Sequence, residues 1–115
     1  MNVFLIVIHR DLTSKNPKPS PAELKEALQP YQQWIQHLAD ADKLVAPPKR
    51  WDLEGKVVSH GKKVKKGPYV DGITSIGGLL LIKATDYDEA VTLAKLCPII
   101  KYGAVVEVRM ALPTA

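Results

Sequence analysis

Hydrophobic residues run almost unbroken from Val3 to Ile8. The run is too short for a buried helix and rich in Val and Ile, so it predicts a strand from Asn2 to Arg10. Alternation puts Val3, Leu5, Val7 and His9 on one face and Phe4, Ile6 and Ile8 on the other. Both faces are apolar, so both call for a cover. Gly77-Gly78 opens a second segment of this kind, Leu79 to Ala84. A last strand is predicted from Ala104 to about Ala111. There Val105, Glu107 and Arg109 share one face, and Val106, Val108 and Met110 share the other.

Between the strands the period changes. After a polar loop from Asp11 to Pro19, Ser20-Pro21-Ala22-Glu23 has the cap, first-turn proline and glutamate of a helix start. Leu24, Leu28, Tyr31, Ile35 and Leu38 then form an apolar stripe. Pro30 removes one backbone donor and is expected to kink this helix or split it, and the helix should end near Asp42. Thr85-Asp86-Tyr87-Asp88 caps a second helix carried by Ala90, Leu93, Ala94 and Cys97, which Pro98 stops. In the middle, Arg50–Asp52 and Lys56–His60 flank Leu53-Glu54-Gly55 as a hairpin. A basic, glycine-containing stretch leads on to Gly72.

The order is strand, helix, hairpin region, strand, helix, strand. This is the split βαβ pattern of a ferredoxin-like α+β sandwich with one additional strand. Such a sheet carries helices on one face only, yet its first and middle strands are apolar on both. A second copy packed sheet to sheet is the economical cover, so a homodimer is expected.

The chain has 115 residues, enough for one domain spanning 1–115. A chain of this size buries about two thirds of its unfolded surface without disulfides or metal. The lone Cys97 excludes an internal disulfide and points to a reducing, cytoplasmic setting. No stretch nears the roughly 18 apolar residues of a membrane span. The N-terminus lacks the basic start and cleavage site of a signal peptide. No membrane partner, cofactor or metal is expected; His37 and His60 have no neighbours at ligand spacing.

Several short motifs resemble the YCII-related proteins, especially the branch named for a DGPF motif. They are Lys66-Gly67-Pro68-Tyr69, Gly77-Gly78, Asp86-Tyr87-Asp88-Glu89-Ala90, Cys97-Pro98 and Val106-Glu107-Val108-Arg109. Residues Pro19 to Leu44 are similar to that family's first helix. The resemblance implies a dimeric α+β barrel with a pocket between sheet and helices or at the dimer interface. A dehydrochlorinase belongs to the wider group, and one branch pairs a first-helix histidine with an aspartate. This chain departs from that pattern: Lys66 stands at the DGPF aspartate, Met110 follows the arginine where the family has proline, and Tyr31 falls near the histidine position. DGPF proteins are often encoded near sigma factors, which implies a regulatory partner as a further alternative.

His9, Glu107 and Arg109 form the best polar constellation. First and last strands are neighbours in a ferredoxin-like sheet, so His9 should approach Glu107 or Arg109. In an enzyme, His9 would be the base, Glu107 its orienting carboxylate and Arg109 an anion clamp. A binding module needs only Arg109 and the loop around Tyr69, and a structural ion pair needs no ligand at all. The main reading is a small polar or anionic organic ligand near the dimer interface. The alternatives are a lyase- or dehydrochlorinase-like enzyme, or a protein-interaction module.

Two other patterns carry less. His9-Arg10-Asp11-Leu12-Thr13-Ser14-Lys15-Asn16 matches the kinase catalytic loop letter for letter, but no nucleotide-binding lobe precedes it and no D-F-G follows, so it is coincidence. The basic segment from Lys49 to Lys66, with Trp51 and Tyr69 beside it, has the composition of a nucleic-acid tracker. A solvated hairpin whose lysines discourage edge pairing is the commoner outcome, so nucleic acid is not expected as a partner.

Overall fold

The computed structural model describes residues 1–11, 21–49, 51–52, 54–72 and 74–113. The rest of the kinase-like octapeptide, the Ser20 cap, Arg50 and Leu53 lie outside the described residues, as does the side chain of Leu24.

Strand β1 covers Asn2–Asp11 and helix α1 Pro21–Asp40; short strands β2 and β3 are Lys56–Ser59 and Lys63–Lys66. Strand β4 spans Thr74–Ala84, helix α2 Tyr87–Ala94 and strand β5 Val105–Met110. The main sheet has the order β4-β1-β5, with both pairings antiparallel. Leu44 adds a single bridge to Ile82 on the outer edge of β4. The second strand of a ferredoxin-like sheet is thus reduced to one contact, held by Lys83 N to Lys43 O at 2.6 Å and Val45 N to Leu81 O at 3.0 Å. The chain is an α+β protein with two helices and antiparallel sheets, compatible with a ferredoxin-like fold.

The helices cover one face of the sheet. Phe4, Ile6 and Ile8 pack there with Leu80, Ile82 and Ala84 of β4 and with Trp34, Leu38, Ala90 and Ala94 of the helices. Val106, Val108 and Met110 of β5 join the same core, as alternation predicted. Trp34 ties the layers together, its indole Nε1 donating to the Leu93 carbonyl at 3.0 Å. The helical stripe is Tyr31, Trp34, Ile35 and Leu38, because Leu28, one turn earlier, is exposed. Pro30 stands inside α1, which the backbone carries through as one helix. Asp86 caps α2 by accepting from the Glu89 amide at 2.9 Å, and Glu89 in turn accepts from the Thr85 amide at 2.9 Å.

Two sequence expectations shift. β4 begins earlier than its apolar run suggested, and Gly77 lies inside it as the unpaired residue between the Ile8–Gly78 and His9–Ile76 pairs. A Cβ at Gly77 would overlap Cγ and Cδ of Arg10, so glycine lets that side chain cross the strand. The expected additional strand belongs to a separate ribbon. β2 pairs only with β3, and the turn between them is His60-Gly61-Lys62 rather than Leu53-Glu54-Gly55. Gly61 has φ +77, a conformation that favours glycine, and this fixes the turn there.

Candidate functional site

The sheet face away from the helices can be built row by row from the register. Directly opposed residues share a face, which gives the rows Leu81–Leu5–Arg109, Leu79–Val7–Glu107 and Ile76–His9–Val105. Each row crosses β4, β1 and β5 in turn. The face also carries Lys83 of β4, opposite Val3 and paired to Asp42; its centre is apolar, and much of it meets solvent: Leu81 is 41% exposed, Ile76 55% and Val105 60%. Val7 is buried although it lies outside the main core, because its sheet neighbours enclose it.

The polar side chains converge at the β5 side. His9 and Glu107 sit in adjacent rows on neighbouring strands, a diagonal that long side chains can span. His9 Nε2 lies 2.9 Å from Glu107 Oε1. Glu107 Oε2 accepts from Arg109 Nε at 2.6 Å, two residues along the same strand. One carboxylate therefore holds both partners, one on each oxygen. Hydrogen bonds from His9 and then Arg109, together with their charge, hold the Glu107 carboxyl below the usual carboxylate range, against a smaller opposing effect of desolvation. Because a carboxylate only accepts, His9 donates through Nε2, and Nδ1 is left for another partner. Arg109 is 71% exposed, and Glu107 is its sole hydrogen-bond partner among the described residues, so its terminal amino groups face solvent.

Tyr69 stands at the same end of the sheet, where Ser75 Oγ donates to its carbonyl at 2.5 Å and Ser75 pairs with Arg10 beside His9. Its ring is exposed, and no hydrogen bond among the described residues joins its hydroxyl to His9, Glu107 or Arg109. The three strand residues thus meet, and Tyr69 is not joined to them. No group of three His, Cys, Asp or Glu side chains among the described residues is placed to hold a metal.

A cavity of about 500 Å³ lies elsewhere, on the helix side, lined by Pro30, Leu96, Cys97, Ile100, Lys101 and Tyr102 among others. None of the three polar residues of the sheet face borders it. The cluster around Glu107 is an open platform in one chain.

Comparison with known families matches the model for the YCII-related domain to residues 3–112. The chain belongs to the YCII-related family. That match takes in every strand and helix described above except Asn2 at the start of β1, so the sheet and its polar edge are parts of the YCII-related domain itself. Comparison with the curated proteins finds no match. His37 is exposed near the end of α1, and among the described residues the histidine that meets a carboxylate is His9, with Glu107. Sequence alternation located it. The diagonal reach from His9 to Glu107 rests on the β1–β5 register, which no local pattern encodes.

Proposed function

We propose that this YCII-related protein works as a homodimer closed through the open sheet face, with His9, Glu107 and Arg109 binding a small anionic organic molecule between the subunits. The observation that carries this reading is a sheet face whose apolar centre is flanked on its β5 side by one hydrogen-bonded cluster with an outward-facing guanidinium, the β4 side carrying Lys83 paired to Asp42. An apolar face of this extent favours a cover, and a planar guanidinium presents paired donors to a carboxylate or phosphate.

NMR titration with a panel of small carboxylates tests the site. The amides of Val105–Arg109 and the His9 ring should shift together. Losing a hydrogen bond to a charged group costs about 1.5–3 kcal/mol, so Arg109→Ala should weaken binding roughly tenfold or more. Unaltered binding in that variant, or no response to any carboxylate, would sink the reading.

The His9–Glu107 bond favours a second reading, acid–base catalysis of the lyase type, because a carboxylate on Nε2 fixes the ring with Nδ1 available as base. Proton exchange at the α-carbon of a bound carboxylate, abolished in His9→Asn, would favour it. Equal exchange in the variant would remove it.

A further inference from the structure

The β2–β3 ribbon accounts for the charge of the whole protein. Residues 54–66 hold five lysines and one glutamate, a net +4, which equals the net charge of the chain. The remaining residues hold eleven basic and eleven acidic side chains and are neutral. Cross-strand pairing makes no use of that charge. Lys56 lies directly opposite Lys66, and Lys65 and Lys63 face Val57 and Ser59. Like charges opposed in a ladder destabilise it, and no ion pair offsets them among the described residues.

The ribbon is also structurally incomplete. A two-stranded sheet by itself is marginal, and among the described residues no third strand pairs with either outer edge. Its backbone donors and acceptors on those edges are a template for another strand. Val58 and Val64 form an opposed pair, 68% and 59% exposed, on the same face as Lys56 and Lys66. Phosphate-rich partners need lysines but neither open backbone edges nor exposed valines. A second copy of β3 would bring lysine against lysine. The segment 12–20 contains no Asp or Glu, so it does not supply the missing charge.

We propose that the outer edge of β3 is a docking site for an extended acidic segment of a partner protein, which adds as a third strand. Edge lysines repel neutral and basic strands and select an acidic one. Three of the four β3 residues are lysine, and alternation sets the pattern the partner must carry. Read antiparallel to β3, it is an acid opposite Lys66, an acid opposite Lys65, an apolar residue opposite Val64 and an acid opposite Lys63. Main-chain bonds supply affinity, and the side-chain pattern supplies specificity.

The test uses the full chain and a labelled peptide containing Glu-Glu-Val-Glu, with Gln-Gln-Val-Gln as its counterpart. The acidic peptide should shift the Lys63–Lys66 amides and slow hydrogen exchange at Val64 and Lys66, whose amides point to the outer edge. Binding should weaken several-fold in high salt. The double change Lys63→Gln, Lys65→Gln should weaken binding about tenfold, and Val64→Ser should weaken it a few-fold. These positions are exposed, so the fold survives the changes. Equal binding of the Gln peptide, or shifts confined to side-chain amines with unchanged edge-amide exchange, overturns the proposal. So does binding of a single-stranded oligonucleotide or of anionic lipid vesicles at affinities the acidic peptide never reaches.

Discussion

Placing a lysine at Leu81 should separate the proposed dimer without unfolding the monomer. Leu81 lies in the row Leu81–Leu5–Arg109 of the open face and is 41% exposed in the single chain. Complete burial of such a side chain contributes about 2 kcal/mol, so covering its exposed part adds about 1 kcal/mol. With Ile76 and Val105 the gain reaches roughly 3 kcal/mol per protomer, and two-fold symmetry makes it roughly 6 kcal/mol. Association costs at least about 4 kcal/mol, so Val3, Leu5 and Leu79 must add to these three for a stable pair. Leu81→Lys removes one such contribution from each protomer and places two ammonium groups in a closing apolar interface, each with a desolvation cost of several kcal/mol. The dissociation constant should rise by roughly a thousandfold or more, equivalent to about 4 kcal/mol. The monomer loses little, since a partly exposed sheet position changes stability by about 1 kcal/mol or less. Light scattering over a concentration series, with a thermal melt as the control for folding, measures both effects. The same mass for variant and parent at every concentration would refute the reasoning, as would a monomeric parent at micromolar concentration.

Three further outcomes follow from named contacts. Glu107 should titrate below an ordinary glutamate when its side-chain carbon is followed by NMR, and replacing His9 by Asn or Arg109 by Ala should raise that midpoint. Because the folded value is depressed, the stability it contributes is present above the unfolded pKa and lost as pH falls through the folded one; an ordinary midpoint would remove the cluster. Gly77→Ala should cost about 1 kcal/mol by displacing Arg10, yet be neutral or slightly stabilising in an Arg10→Ala background, as chemical denaturation of the four proteins would show. An equal cost in both backgrounds would mean that Arg10 is not the obstacle. Cys97 is 3% exposed, and burial pushes its thiol up, so a thiol reagent should react only as the protein unfolds. Rapid labelling of the native protein would contradict that burial.

Much of this protein follows from the sequence alone, because local chemistry repeats along the chain. The two-residue period of β1 and β5 separated Phe4, Ile6, Ile8, Val106, Val108 and Met110 from the residues of the open face, and the core bears that division out. Asp86 announced α2 because an aspartate before a helical stripe satisfies a free amide. Glu107 and Arg109 fell on one face of β5 by the same alternation. Other features depend on contacts between distant segments. Both Leu53-Glu54-Gly55 and His60-Gly61-Lys62 have the composition of a turn, and only the pairing of Lys56–Ser59 with Lys63–Lys66 selects the second. Trp34 replaces Leu28 in the buried stripe because the Leu93 carbonyl of the other helix is there to receive its indole. The bulge at Gly77 shifts the pairing of β1 with β4 between Ile8 and His9, and a one-residue slip reverses every side chain beyond it. The composition of one strand cannot encode its register against another. Tertiary pairing therefore decided that His9 shares a face with Glu107 and that the two meet at 2.9 Å.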